Sequence, residues 1–160
     1  MSDEQRYAFP DGSVAPFDLW SAPKPRCQRE VLEKAFGGLS NLDFNWVDKT
    51  SKIRHVEISE GNGNRIIVKF AMRSVSGGGR AKQRPNELRV QCDPKTNNDL
   101  FQINENGGIG LIIGIYCIEG SFALAIWRPL DKSSGAKTSS KQINAHVVAA
   151  AMVNGVSKYT

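Results

Sequence analysis

Arg80-Ala81-Lys82-Gln83-Arg84-Pro85-Asn86-Glu87-Leu88-Arg89-Val90-Gln91 carries the densest set of side chains suited to recognition chemistry. Arg80, Lys82 and Arg84 lie in a polar stretch and can neutralise phosphates. From Glu87 the residues alternate, so Arg89 and Gln91 should share one face of a strand, with Leu88 and Val90 on the other. A guanidinium bonds bidentately to guanine or to phosphate, and a glutamine amide can pair with adenine. Gly77-Gly78-Gly79 would let the basic loop adapt to a groove. The same residues also fit a solvated basic hairpin with no ligand. Glu87 is expected to pair with a neighbouring arginine.

Enzymatic readings are thinner. Asp93-Pro94-Lys95 is an acid-x-Lys triplet, with Glu87 or Glu57 as a possible second acid. A nuclease of that kind needs two carboxylates converging on Mg²⁺ and a lysine near the attacking water. The proline inside the triplet interrupts the strand such a site uses. Gly114-Ile115-Tyr116 is half of another nuclease motif, but it sits in an apolar core run. His55 and His146 are the only histidines, fall on separate elements, and lack the cysteine spacing of a zinc site. No Gly-x-Ser-x-Gly elbow occurs. Gly61-Asn62-Gly63-Asn64 lacks the Lys-Ser/Thr of a phosphate-binding loop and reads as a turn.

The elements that must position these residues are mostly strands. Residues 42–47, 53–58 and 65–73 alternate or are β-rich, and the 60–64 turn predicts a hairpin between the last two. Residues 87–92 form another strand. The nearly all-apolar run 109–118 and the run 121–127, joined at Glu119-Gly120, predict a hairpin of two buried strands. Helices are expected from Arg26 to Phe36, stopped by Gly37-Gly38, and from Asn144 or Ala145 through Met152. Asp93 to Gly108 reads as a polar, turn-rich connection, and Val156 to Thr160 as the start of one more strand. Pro10, Pro16, Pro23 and Pro25 predict an irregular arm over residues 1–25, tacked onto the core by Tyr7, Phe9, Phe17 and Trp20, leaving 26–160 as a single domain. Without βαβ alternation, an antiparallel or mixed barrel-like fold is expected.

The 160 residues suffice for one real core, and 40% hydrophobic with 23% charged is ordinary globular composition. Net charge is +5, and from Lys49 to Arg89 ten Lys/Arg face three acids, as a phosphate-binding footprint requires. No apolar run is long enough to span a bilayer and the first residues lack a signal-peptide core. Cys27, Cys92 and Cys117 are odd in number and widely spaced, which favours free thiols in a reducing cytoplasm.

Arg84-Pro85-Asn86-Glu87-Leu88-Arg89-Val90-Gln91 is followed by the apolar strand containing Gly114, an apolar strand ending in Trp127, a Ser/Lys-rich loop, Ser140-Lys141-Gln142-Ile143 and an Ala-rich helix. This order resembles the pseudobarrel DNA-recognition modules of restriction endonucleases and methylation-linked defence proteins, related in fold to plant pseudobarrel transcription factors. The resemblance spans about residues 64–160. It implies a mostly β (α+β) chain: an open antiparallel or mixed pseudobarrel of about six to eight strands with two short helices. It also implies two arms reading the major groove of double-stranded DNA. The first arm would offer Arg73, Arg80, Lys82, Arg84, Asn86, Arg89 and Gln91. The second would offer Arg128, Lys132, Lys137, Ser140, Lys141 and Gln142. Trp127 is expected in the core.

The sequence therefore favours a non-catalytic specificity module that needs no cofactor and works with a nuclease domain or subunit. Two alternatives stand beside it: a small Mg²⁺-dependent nuclease using Asp93, Lys95 and Glu87, and a protein-interaction domain with a basic face.

Overall fold

A computed structural model describes residues 4–16, 28–37, 42–130 and 139–157. A five-stranded sheet lies at the centre, with strand order β3-β4-β5-β8-β9. Its members are β3 (Leu42–Asp48), β4 (Arg54–Glu60), β5 (Arg65–Ser74), β8 (Ile109–Ile118) and β9 (Ser121–Trp127). The expected β4–β5 and β8–β9 hairpins are both present and antiparallel. Glu119 and Gly120 turn the second one with positive φ at both residues, 50° and 78°, as a two-residue hairpin turn requires.

Alternation splits this sheet between two cores. Phe70 and Met72 of β5 and Ile113 and Ile115 of β8 face helix α1 (Gln28–Gly37) through Val31 and Leu32. Ala71 of β5 and Ile112, Tyr116 and Ile118 of β8 face the other way. There they meet a three-stranded sheet, β10-β7-β6, made of β6 (Ser76–Gly77), β7 (Glu87–Cys92) and β10 (Ser139–Asn144). Leu88, Val90 and Cys92 of β7 enter that second core together with helices α2 (Pro94–Glu105) and α3 (Ala145–Asn154). Burial pushes the Cys92 thiol pKa up, and both Cys92 and Cys117 are free.

Gly114 sets how closely the two sheets approach. A Cβ there would stand 2.7 Å from Val90 Cγ2, 2.8 Å from Val75 Cγ2 and 3.0 Å from Trp127 Cζ3. Trp127 packs, partly buried, against this core rather than standing as a stacking platform.

Three expectations are corrected. Residues 93–108 are not merely turns: Asp93 caps α2, with Pro94 in the first turn. Proline suits that position because the helix has no use for its missing N–H. The helix was hidden by its polar composition, since Thr96 and Asn97 are buried alongside Leu100. The buried Asn97 side-chain NH2 donates to the Leu130 carbonyl at 2.8 Å, which satisfies one end of its amide. The segment β6-β7-α2 thus connects β5 to β8 as parallel neighbours, so the central sheet is mixed.

The second correction concerns the arm. Residues 6–16 form an antiparallel hairpin of β1 (Arg6–Ala8) and β2 (Val14–Pro16). Its Tyr7, Ala8 and Val14 belong to the same core as the three-stranded sheet, and the buried Tyr116 hydroxyl donates to the Ala8 carbonyl at 2.7 Å. Burial raises the Tyr116 pKa. Third, Val156 and Ser157 are not in a strand; residues 158–160 lie outside the described residues.

The described chain is mostly β with three helices, an α+β arrangement of separate two-, three- and five-stranded sheets that do not close on one another. No described helix is long and apolar enough to cross a membrane.

Candidate nucleic-acid interface

The antiparallel register of β7 against β10 decides which polar residues face outward. Gln142 lies opposite Arg89, Ser140 opposite Gln91, and Asn144 opposite Glu87. On the other edge Ser76 of β6 lies opposite Arg89. Directly opposed residues share a face with Cβ atoms about 5 Å apart. Gln142, Arg89 and Ser76 therefore form one row across the outer face, flanked by the Gln91–Ser140 and Glu87–Asn144 pairs. Gln91, Gln142, Asn144 and Ser76 are exposed, and Arg89 is half-buried.

The inner face holds Leu88 opposite Ile143 and Val90 opposite Lys141. Lys141 is only 7% exposed. This corrects the expectation that it addresses bases: the alternation that turns Gln142 outward turns its neighbour Lys141 inward.

The loop before β7 carries Arg80, Lys82 and Arg84, all exposed. It is tethered at several points. Gln83 and Arg84 N–H groups both donate to the Arg80 carbonyl, and the Glu87 N–H donates to that of Arg84. Arg84 Nη1 meets Glu87 Oε2 at 3.1 Å, the expected arginine–carboxylate pair. Gly78 donates its N–H to the Glu87 carbonyl at 2.9 Å, and Gly79, at φ 76°, lies beside the Arg89 guanidinium. The glycines thus form close contacts with β7 as well as giving the loop its path.

A second tether comes from the N-terminal hairpin. The Gln5 side-chain amide donates to the carbonyls of Arg6, Pro85 and Glu87 at 2.9–3.0 Å. The Arg6 N–H also reaches Pro85 O at 2.8 Å. On the other side the Asn86 carbonyl accepts from the Ala145 N–H, joining the start of β7 to the start of α3. Gln5 carried no signal in the sequence, because its role exists only once residues some 80 apart are brought together.

Asp93 occupies the opposite end of β7. Its carboxylate accepts from the Thr96 amide at 3.0 Å and the Thr96 hydroxyl at 2.8 Å. Lys52 lies 3.0 Å and Arg73 3.4 Å from Oδ1. Burial opposes ionisation, yet the Lys52 and Thr96 bonds outweigh it and hold the Asp93 carboxyl well below the ordinary carboxylate range. Both oxygens of the acid proposed for the nuclease alternative are therefore engaged in capping a helix and pairing cations. Lys95 is exposed in the first turn of that helix. Among the described residues no group of three or more His, Cys, Asp or Glu side chains could hold a metal ion.

Of the other expected contacts, Arg73 is drawn to Asp93 and to the Met72 carbonyl. Arg128 is exposed just beyond β9 in the central sheet. Lys132 and Lys137 lie outside the described residues. Lys52, not anticipated, joins Arg73 at the Asp93 end of β7, a strand of about 17 Å at ~3.3 Å per residue. Cations thus stand at both ends of the polar rows.

Fold and site together define an α+β module that presents a polar sheet face bordered by basic residues. By sequence, the chain belongs to the Methylase-associated X1 family, whose model matches residues 66–160. The match begins inside β5 and includes β7, β10, α2 and α3. The family ties the chain to methylation and restriction systems. No curated protein and no solved structure matches it.

Proposed function

We propose that this chain is a duplex-DNA recognition module of a methylation-linked restriction or defence system, with catalysis supplied by a separate domain or subunit in the cytoplasm. The observation that carries this reading is the outward row Gln142-Arg89-Ser76, supported on a rigid sheet and bordered by the exposed Arg80, Lys82 and Arg84. Arginine and glutamine at adjacent positions can address base edges in the major groove. The loop cations act on the backbone and set register. Family membership supports the biological setting.

In this reading the three-stranded sheet and the wall behind it act as the open side of a pseudobarrel. The engagement of Asp93 in a helix cap favours binding over cleavage.

The test is a mobility-shift titration of random and methylated duplexes at several salt concentrations. Binding should weaken as salt rises, with a log–log slope near −0.9 for each phosphate neutralised. A flat salt response, or no binding to any duplex, sinks the reading.

A further inference from the structure

Six polar side chains alternate outward on β7 and β10, and the fold occupies three of them. Glu87 pairs with Arg84 at 3.1 Å. The Asn144 side-chain oxygen accepts from the His146 N–H at 2.8 Å and caps α3. The Ser140 hydroxyl is buried. Arg89, Gln91 and Gln142 remain, and among the described residues their side chains take part in no hydrogen bond or ion pair. Arg89 stays unpaired although two carboxylates of the same parity lie along its strand. Arg84 pairs with Glu87, and Lys52 and Arg73 pair with Asp93. Gly79 lies beside the guanidinium and, being glycine, puts no side chain over it.

A glutamine amide offers one acceptor and one donor side by side. In the major groove adenine alone presents the complement, the N6–H donor next to the N7 acceptor. Guanine presents two acceptors there, N7 and O6, which match the paired donors of a guanidinium. Gln142 is exposed and lies directly opposite Arg89, with Cβ atoms about 5 Å apart. Stacked base pairs are about 3.4 Å apart, a difference two long side chains absorb. The two residues therefore suit neighbouring base pairs. Gln91 lies two residues along β7 from Arg89, about 6.6 Å away, and suits a base pair farther on.

We infer that Gln142 reads the N6 edge of an unmodified adenine one base pair from a guanine held by Arg89, and that N6-methylation of that adenine breaks the contact. This rests on the duplex-DNA reading above and deepens it by naming the bases and the mark. In the duplex one adenine N6–H pairs with thymine and the other faces the groove. The methyl group replaces the second, so the Gln142 side-chain oxygen loses its donor after leaving water. A site built to bond an N–H rejects an analogue lacking it. The phosphate contacts of Arg80, Lys82 and Arg84 carry no base information and are indifferent to the mark. The module thereby holds sites that lack the methyl group and releases those that carry it.

The test uses the full chain. Random duplexes are selected for binding over several rounds and sequenced, and the enriched motif should hold guanine and adenine at neighbouring base pairs. The tightest selected duplex is then made with that adenine N6-methylated. The wild type should bind the methylated form about tenfold more weakly. Gln142→Ala should bind both forms equally, with an unchanged urea midpoint. Equal or tighter wild-type binding of the methylated duplex overturns the inference and leaves the duplex reading standing. So does a methyl preference that survives Gln142→Ala, or an enriched motif without the guanine–adenine step. Absence of binding to any duplex sinks both.

Discussion

Glu87 and Asp93 bracket the same strand and share its outer parity, yet the fold treats them oppositely. Asp93 is saturated: Thr96 supplies two donors, and Lys52 and Arg73 supply charge. Glu87 is more deeply enclosed but has only Arg84 on one oxygen. One carboxylate is consumed in building the molecule, and the other retains acceptor capacity. A carboxylate's residue type and its place on a strand therefore say little about its availability; its donors decide that.

The two faces of β7 extend the contrast, and the largest effect should come from the inner one. Leu88 is fully buried, so Leu88→Ala should cost ~2–5 kcal/mol of stability by urea denaturation. A cost under about 1 kcal/mol would mean that the two sheets are not packed as described. On the outer face, Arg89→Ala should leave the urea midpoint nearly unchanged. It should instead lower discrimination between preferred and altered duplexes by ~1–3 kcal/mol in competition binding.

Asp93→Ala removes a helix cap and should cost ~0.5–2 kcal/mol. The sign of its pH dependence follows from the lowered folded pKa. The Asp93 contribution is complete above its ordinary value of 3.8, and it is lost as pH falls below that toward the folded value. The stability gap between wild type and variant should therefore narrow below about pH 4. A gap that widens on acidification would reverse the assignment. The smallest effect is expected for Arg84→Ala. It should weaken binding to all duplexes alike and reduce the salt slope by about one unit.

Much of this was legible in the residues because period-two alternation is a local signal. Strand β7 and the β8–β9 hairpin occur where the pattern puts them, and Asn144 caps α3 at the expected start. The remainder depended on long-range partners. Ser140-Lys141-Gln142 offers adjacent polar residues, and only pairing with β7 decides that Lys141 turns inward. Helix α2 has a visible start signal, an aspartate followed by proline, but its buried polar face looks like a loop until Leu130 supplies a carbonyl to Asn97. Among the candidate contacts, alternation placed Arg89 and Gln91 on a common face. It could not reveal Gln5, because two of its three acceptors, the Pro85 and Glu87 carbonyls, lie some 80 residues away in the chain.

The Gln5 tether bears on how the molecule can be divided. A fragment cut to the family-matched stretch at Ile66 would discard β1 through β4, and with them the donors to Pro85 and the carbonyl that receives the Tyr116 hydroxyl. Such a fragment would retain every arginine of the basic loop while losing the clasp that aims them.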